Sequence, residues 1–260
     1  MRVDLNADVG ESFGAYSIGH DAPLMKAITS ANVAAGFHAG DPSVLRSTIR
    51  LAKANGVAVG AHPGFPDLVG FGRRELQITP RDAEDSVLYQ VAAVAGVAAA
   101  ENVRLQHVKP HGALYNMAAR DAALAEAIAR AVAAFDRSLI LFGPPDSELL
   151  KAGHAAGLRV AAEGFADRAY EPDTSLAARQ KAGSLIDDPE VVVARAVRMA
   201  NDGTVLALDG SVLRLVIDTI CVHGDTPGSD QLAATLRAGL ERAGVTVRAI
   251  GQGDSPKSEI

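Results

Sequence analysis

The sequence predicts an α/β fold, an irregular (β/α) TIM-like barrel of seven or eight mostly parallel strands. Short apolar segments of strand length alternate with segments of helical periodicity along nearly the whole chain, as in strand–helix–strand units of a parallel sheet. Polar and ionisable residues follow the ends of these segments, as they do at the carboxyl ends of barrel strands. An open doubly wound sheet is the alternative that the same pattern allows.

The composition bounds the size and class of the protein. The chain has 260 residues, of which 48% are hydrophobic, and this is enough for a sizeable core. We expect one (β/α)-barrel domain over residues 1–251 and a polar, disordered tail over residues 252–260. The net charge of -6 and the scattered basic residues argue against nucleic acid. The single cysteine, and the lack of a long apolar stretch, indicate a cytoplasmic protein without a membrane segment.

The first half of the chain contains four predicted strands separated by helices. Asp41 and Thr79 are each followed by proline, which is typical of helix N-termini, and their helices extend to Gly56 and to about Asn102. A loop rich in glycine and proline covers residues 65–74, and loops of this length are usually functional or mobile. The remaining predicted elements are strands over 3–7, 30–35 and 57–60, a strand that ends at Lys109, and a short helix after Asp21.

The second half of the chain continues the alternation. Pro110 ends the fourth strand, and residues 111–116 have no apolar periodicity, so the next helix is predicted to begin at Asp121. Residues 171–188 are expected to be irregular. The predicted strands are 139–142, 159–162, 213–222 and 245–250, and the predicted helices are 121–135, 147–157, 189–201 and 230–243.

Polar clusters follow most of the predicted strands. Because the carboxyl ends of parallel barrel strands lie on one face, we expect these clusters to converge. Four of the seven histidines belong to them, whereas His20, His107 and His154 are not interpreted as functional. One histidine alone is more often a hydrogen-bonded structural residue, but the recurrence favours an active site. The clusters are Asn6/Asp8/Glu11, His38/Asp41, His62, Lys109/His111, Glu163/Arg168 and His223/Asp225.

General acid–base catalysis on a polar substrate is the first chemistry that these clusters predict. Asp8 or His111 would be the base, because both follow strand ends and can accept a proton. His223 and Asp225 are further candidate catalytic residues, since they follow the most apolar strand.

Several other residues are predicted to bind the substrate. Lys109 and Arg168 would hold a carboxylate or phosphoryl group. Asn6 and Glu163 lie in the same strand-end clusters. Arg73 is adjacent to a second arginine on the long loop, and the pair is either solvated or an anion clamp carried on a lid.

Metal binding is the second chemistry that the clusters allow. One aspartate and two histidines can hold a hydrolytic divalent ion with open coordination positions. Asp8, His38 and His62 could form such a set, although no local spacing motif requires it.

Two common catalytic motifs are absent from the sequence. There is no G-x-x-x-x-G-K-[ST] phosphate loop and no G-x-S-x-G nucleophile elbow. Cys221 has apolar neighbours and is interpreted as an unreactive strand residue. The chain therefore has no evident nucleotide-binding motif of its own.

The polar clusters, taken with their neighbours, resemble the motifs of the LamB/YcsF family. The matching segments occur in family order across nearly the whole chain, which is more specific than any one motif. They are DLNADVGESFG at 4–14, AGD at 39–41, HPGFPD at 62–67, GFGRR at 70–74, VKPHGALYN at 108–116, EGFADR at 163–168 and CVHGD at 221–225.

The resemblance implies a fold and an activity that composition and spacing do not. The fold would be a barrel similar to those of the glycoside hydrolase and polysaccharide deacetylase superfamily. The activity would be ATP-dependent opening of 5-oxoproline (pyroglutamate) to L-glutamate, together with 5-oxoprolinase subunits B and C. Since this chain has no phosphate loop, our hypothesis is that ATP binds with or on those partners, while this chain binds the lactam.

Three alternatives remain open at this point. The chain could be a metal-dependent deacetylase-like hydrolase acting on carbohydrate, although the absence of tryptophan counts mildly against a polysaccharide substrate. It could be a non-catalytic lactam-binding component, in which ligand binding survives changes to Asp8 and His111. It could also be a structural scaffold, which would leave the converging polar residues unexplained.

Overall fold

Seven parallel strands form a closed barrel in the computed structural model, which describes residues 1–178, 180–222 and 228–251. In chain order the strands are β1 (Arg2–Val9), β2 (Ser30–Ala34), β3 (Ala58–His62), β4 (Leu105–Val108), β5 (Ile140–Gly143), β6 (Arg159–Phe165), β7 (Thr204–Leu206), β8 (Val212–Arg214), β9 (Thr219–Val222) and β10 (Thr246–Val247). The barrel order is β1-β2-β3-β4-β5-β6-β9, and β9 pairs with β1 to close it. The predicted barrel is therefore confirmed, and the open sheet is excluded.

Helices follow the barrel strands and begin at residues that satisfy their first backbone N–H groups. The Asp41 carboxylate accepts hydrogen bonds from the backbone of Ser43 and Val44, and the Thr79 hydroxyl accepts one from Asp82. The helices are α1 (Asp21–Leu24), α2 (Pro42–Ala54), α3 (Pro80–Ala100), α4 (Gly112–Ala118), α5 (Ala122–Phe135), α6 (Glu148–Ala155), α7 (Pro189–Asp202) and α8 (Ser229–Arg242). Within the described part of the chain, every helix is too short or too polar to cross a membrane.

The apolar segment at 213–222 is two strands and not the single strand that its hydropathy predicts. Its first part, β8, pairs antiparallel with β7 in a hairpin outside the barrel, and its second part is barrel strand β9. Asp218 separates them, and its side chain accepts a hydrogen bond from the backbone N–H of Ala162 at 2.9 Å. The apolar run thus contains a bend at Asp218, whose side chain accepts a hydrogen bond from the backbone of the neighbouring strand β6.

Helix α4 is also absent from the prediction. It begins at Gly112, directly after the polar cluster at the end of β4, and it buries Leu114 and Tyr115. The prediction missed it because the helix is only about two turns long, too short for periodicity to be visible. Its position matters, since it brings Tyr115 back over the end of the barrel.

The two faces of β1 have opposite chemistry, although nearly all of its residues are buried. Successive side chains of a strand point to opposite faces. Val3, Leu5, Ala7 and Val9 belong to the main apolar core. The alternate residues are polar and buried, and they face the barrel interior: Asp4, Asn6 and Asp8.

Candidate active site

Lys109 is the centre of the barrel's polar interior. Its ammonium group lies 2.9 Å from Asp8 Oδ1 and 2.8 Å from Glu163 Oε1, and it is almost completely buried. It also contacts Cys221 Sγ at 3.1 Å. Burial alone would lower the pKa of Lys109, but the charges of these neighbours outweigh burial and raise that pKa well above its usual value. Lys109 is therefore a permanent cation that joins the carboxylates of β1 and β6, the two strands that flank β9.

A layer of amides holds the two carboxylates in place. Asn6 Nδ2 donates to Glu163 Oε1 at 3.0 Å, and Asn32 Nδ2 donates to Asp8 Oδ1 at 2.8 Å. The two amides are linked to each other by a 2.7 Å hydrogen bond from Asn32 Nδ2 to Asn6 Oδ1. Their side chains are fixed by β1 and β2, where Asp8 lies opposite Asn32 in the register. The geometry of the carboxylates is thus set by rigid strands.

His107 supports this amide layer from β4. Its Nε2 lies 2.8 Å from Asn32 Oδ1, and its ring stacks on Phe142 with 4.3 Å between ring centroids. Burial is the main reason that the pKa of His107 falls to about 3, so the ring is neutral at physiological pH. His107 therefore lies within β4 and holds the amide of Asn32 in place.

Three histidines and one glutamate converge beside Asp8, at the carboxyl ends of β1 to β4. We call Glu11, His38, His62 and His111 the histidine cluster; one ligand atom of each lies within 4.8 Å of the others. His62 Nε2 lies 2.9 Å from His111 Nδ1, and His38 Nε2 lies 3.4 Å from Glu11 Oε1. All four side chains are buried.

Backbone carbonyls fix the tautomers of two of these rings. His62 Nδ1 donates to the carbonyl of Lys109 at 2.7 Å, and His111 Nε2 donates to the carbonyl of Phe71 at 2.8 Å. The remaining nitrogens, His62 Nε2 and His111 Nδ1, therefore face each other with two lone pairs unless a cation lies between them. Burial and then the charge of His62 lower the pKa of His111 well below its ordinary value, so a further proton on this ring is disfavoured.

His38 completes the cluster with both ring nitrogens buried. Neither nitrogen makes a hydrogen bond to any residue in the described part of the chain. Its ring stacks on His111 at 3.8 Å between ring centroids. Close backbone approach makes room for it: a Cβ at Gly64 would lie 2.6 Å from His38 Nδ1, and a Cβ at Gly72 would lie 2.7 Å from His38 Cβ. Histidine rings held by carbonyls on their outer nitrogens, as His62 and His111 are, are typical of metal ligands.

The loop after β3 covers the histidine cluster and is held by an ion pair. Arg74 Nε donates to Asp67 Oδ2 at 2.9 Å, and the Gly70 N–H donates to Asp67 Oδ1 at 2.9 Å. The hydrogen bond with Arg74 is the main reason that the pKa of Asp67 falls to about 2. The loop then presents the Phe71 carbonyl to His111.

Replacing Asp67 by asparagine is expected to destabilise the protein in a pH-dependent way. A carboxylate whose pKa is lowered by folding contributes stability above its ordinary pKa of 3.8, and that contribution is lost as the pH falls toward about 2. The melting temperature of Asp67→Asn should therefore be lower than that of the wild type at pH 7, and the difference should shrink below about pH 4. Asp85→Asn, at an exposed position on α3, is the control. A difference that is constant with pH would contradict this account.

The residues predicted to form the site lie in the Lys109 network, in the histidine cluster or outside the described part of the chain. Asn6, Asp8, Lys109 and Glu163 form one hydrogen-bonded network, which Asp8 joins to the histidine cluster through a 3.3 Å contact between its Oδ2 and His62 Nε2. His111 belongs to the histidine cluster. His223 and Asp225, predicted to be catalytic, lie outside the described residues, as does the predicted tail over 252–260.

The two arginines predicted to bind the substrate occupy positions of different character. Arg73 is exposed, and its guanidinium lies 4.8 Å from the centre of the Phe71 ring, next to the histidine cluster. Arg168 is buried, and its guanidinium donates to the carbonyl of Ala177 at 2.6 Å. That contact ties Arg168 to the segment after β6.

Of the three residues predicted to bind a metal, the histidine cluster contains His38 and His62. Asp8 lies beside the cluster and is engaged by Lys109 and Asn32. Glu11 takes the carboxylate position in the cluster. Sequence reasoning placed Glu11 among the residues after β1 but gave it no role, because the turn at Gly10 that directs it inward could not be inferred from spacing.

A protein-family model matches nearly the whole chain and not only its motifs. The model described as the LamB/YcsF family matches residues 3–255. The chain belongs to the LamB/YcsF family. A relative from Methylococcus capsulatus, named as the A subunit of 5-oxoprolinase, is 54% identical over 249 residues, and the match covers 96% of each chain.

One solved structure supports the family assignment, and a second shares the fold. The crystal structure of a lactam utilization protein from Thermus thermophilus is 50% identical and has a TM-score of 0.92, covering 96% of this chain and 100% of that one. A putative cellobiose-phosphate cleavage protein from Enterococcus faecalis has a TM-score of 0.54, covering 95% and 96% of the two chains, at 14% identity. This second likeness concerns the fold alone.

Proposed function

We propose that this chain acts as the A subunit of an ATP-dependent 5-oxoprolinase, which opens 5-oxoproline to L-glutamate. The observation that carries the proposal is the buried Lys109 network beside the histidine cluster, because it combines a fixed cation, two carboxylates and three imidazole rings at the end of one barrel. The names of the relatives, one a 5-oxoprolinase component and the other a lactam utilization protein, support the substrate class.

Hydrolysis of the lactam requires water, a proton acceptor and a proton donor. The water oxygen bonds to the ring carbonyl carbon, the bond from that carbon to nitrogen breaks, and the nitrogen takes a proton to become the amino group of glutamate. Asp8 is the proposed group that receives and returns the proton, since it lies at a strand end in contact with His62 and Lys109. His111 is the alternative base in a metal-free site, where its Nδ1 keeps a lone pair. Lys109 is the cation that would face the substrate carboxylate or the developing negative charge.

The ATP chemistry is assigned to 5-oxoprolinase subunits B and C. Transfer of the terminal phosphoryl group of ATP to the lactam oxygen would release ADP and make the ring carbon more electrophilic. Addition of water and cleavage of the carbon–nitrogen bond would then leave an acyl phosphate of glutamate, which a second water would hydrolyse to glutamate and phosphate. This chain has no phosphate-loop motif. In our proposal it receives the lactam or its activated form.

A divalent metal ion fits the histidine cluster. Glu11, His38, His62 and His111 would hold it, because two rings direct lone pairs toward each other and the third has no hydrogen bond within the described residues. Such an ion would supply Lewis-acid activation of a carbonyl group and of water. The Lys109 carbonyl would orient His62 for this role by accepting from its Nδ1.

Metal content is the direct test of this part of the proposal. The purified wild type, incubated with Zn²⁺ or Mn²⁺ and desalted, is expected to retain stoichiometric metal by elemental analysis. His62→Ala should lose most of that metal, since it removes a central ligand. His154→Ala, at an exposed position on α6, should retain it. Equal metal content in His62→Ala and the wild type, or no metal in either, would contradict the site.

Glutamate release from 5-oxoproline tests the function itself. The chain alone, subunits B and C alone, and the mixture would each be assayed with and without ATP. We expect glutamate only from the mixture with ATP. The deacetylase alternative would be favoured if the mixture formed no glutamate and this chain alone released acetate from acetylated sugars in the presence of metal.

A further inference from the structure

A hydrogen-bonded line of buried side chains runs from Asp4 to Lys109 inside the barrel. Asp4 begins the first family motif and lies two residues before Asn6 on the same face of β1, but the reaction proposed above gives it no role. Thr219 of β9 lies opposite Asp4 of β1 in the register and, on its other side, opposite Glu163 of β6. All of these side chains are buried. Thr219 therefore lies between Asp4 and the Lys109 network.

Three hydroxyl groups donate to the Asp4 carboxylate. Thr219 donates to Oδ2 at 2.6 Å, and Thr29 and Ser30 donate to Oδ1 at 2.6 Å and 2.7 Å. Burial raises the pKa of Asp4, and the three hydroxyl groups oppose that rise because they bind the charged form. A hydroxyl group has one hydrogen and two lone pairs. The hydrogen of Thr219 is thus committed to Asp4, and its oxygen can only accept from its other neighbours.

The Asn6 amide has every hydrogen and lone pair in use. Its Nδ2 donates to Thr219 Oγ1 at 2.7 Å and to Glu163 Oε1 at 3.0 Å. Its Oδ1 accepts from Asn32 Nδ2 at 2.7 Å and from Lys109 Nζ at 3.3 Å. A side-chain amide has two N–H donors and one oxygen with two lone pairs. These contacts use the whole capacity of Asn6, so its remaining role is to orient its neighbours.

The reversed orientation of this amide is unfavourable on both sides. Rotation by a half turn would direct the Asn6 NH2 group at the Lys109 ammonium, donor against donor. The same rotation would direct Oδ1 at the Glu163 carboxylate and at Thr219. Thr219 could not donate to that oxygen, because its hydrogen is held by Asp4. The Asp4 carboxylate therefore helps to select one orientation of an amide that contacts Lys109.

We infer that Asp4 and Thr219 are positioning residues for the proposed reaction. Asp4 fixes the hydroxyl of Thr219, and that hydroxyl fixes the amide of Asn6. The amide then holds the ammonium group of Lys109 in place between its two carboxylates. Neither Asp4 nor Thr219 would contact the substrate. The inference rests on the proposed function for its effect on turnover.

Thr219→Val in the assembled enzyme is the kinetic test. Valine keeps the branched shape of threonine and removes the hydroxyl that joins Asp4 to Asn6. We expect kcat for 5-oxoproline to fall about ten- to a hundredfold, because a displaced supporting group misplaces the groups that react. KM should change little, since the hydroxyl does not contact the substrate. Thr219→Ser retains the hydroxyl and should restore kcat.

Ser30→Ala is the matched control. The Ser30 hydroxyl gives its single hydrogen to Asp4 Oδ1, so it lies outside the line from Asp4 to Asn6. Thr219→Val and Ser30→Ala each remove one hydroxyl from the same buried carboxylate, and both should lower the melting temperature. Only Thr219→Val should lower kcat. A similar fall of kcat in both variants would show that these contacts act through stability alone, and it would overturn the inference.

Nitrogen-15 NMR of this chain alone separates the inference from the proposed function. The two side-chain N–H signals of Asn6 should be protected from exchange with solvent in the wild type and in Ser30→Ala. In Thr219→Val one of them should shift and exchange faster, because its acceptor is lost. If Thr219→Val does not fold, Thr219→Cys keeps a weaker hydrogen-bonding group at this position and should show the same change at smaller amplitude.

The two measurements have distinct outcomes. Unchanged Asn6 signals in the Thr219 variant would overturn the inference, even if the assembled enzyme forms glutamate. Absence of turnover in the wild type would overturn the proposed function, and the Asn6 signals would still decide whether Thr219 orients the amide.

Discussion

Lys109→Met is expected to abolish glutamate formation and to lower the free energy of unfolding by about 3–5 kcal/mol. Methionine fills a similar volume, but it leaves Asp8 and Glu163 facing each other without the cation that separates them. Removing one partner of a buried ion network is strongly destabilising, because the desolvation of the remaining charges is no longer offset.

Denaturant unfolding and the coupled glutamate assay would measure the two effects. Lys151→Met is the matched control, since Lys151 pairs with Glu148 on the surface of α6 and its side chain is 64% exposed; such pairs contribute about 0–1 kcal/mol. Adding Glu163→Gln to Lys109→Met should restore part of the stability without restoring turnover, because it removes one of the two buried carboxylates left without a cation. Wild-type stability in Lys109→Met would show that the network does not hold the barrel together.

Gly60→Ala is expected to have the largest effect on folding of any single methyl addition considered. The new Cβ would lie 2.1 Å from Nε2 and 2.2 Å from Cδ2 of His107. That ring cannot move away easily, since Asn32 binds its Nε2 and Phe142 stacks on its face. Overpacking of a well-packed site typically costs about 1–3 kcal/mol, and a ring held on two sides favours the upper end or more.

Soluble yield and melting temperature would report the effect of Gly60→Ala. Gly96→Ala is the control, because a Cβ at that position on α3 meets nothing within 4 Å and alanine favours helix by about 0.5–1 kcal/mol. The two glycine-to-alanine substitutions should thus change stability in opposite directions. Combining Gly60→Ala with His107→Ala should recover part of the loss, and no recovery would contradict the clash with His107.

The alternation of strand and helix allowed the barrel to be predicted, because the barrel strands are short, largely buried and followed by a polar residue or turn. The convergence of Asp8, His62, Lys109 and His111 followed from the same rule, since parallel strands end on one face. The pairing of the residues could not be predicted. Which carboxylate meets Lys109, and which nitrogen of His62 faces His111, depends on strand register and on carbonyl positions that only the folded backbone defines.

Short local structure was the other source of error. Helix α4 and the β7–β8 hairpin are too short for periodicity to reveal, yet α4 positions Tyr115 over the barrel. Glu11 shows the same limit at the level of one residue. It follows β1 by two positions, and only the turn at Gly10, whose φ is +69°, decides that its carboxylate points inward.

The alternating chemistry of β1 also selects how the strand is aligned. A shift of β1 by one residue against β2 and β9 would exchange its two faces. Asp4, Asn6 and Asp8 would then be pressed against the apolar helices, and Lys109 would face aliphatic side chains. Such a misaligned barrel would leave several buried charges without partners at once, at a cost of several kcal/mol for each. The residues proposed to carry out the reaction therefore also discriminate against the misfolded registers that a uniformly apolar barrel would tolerate.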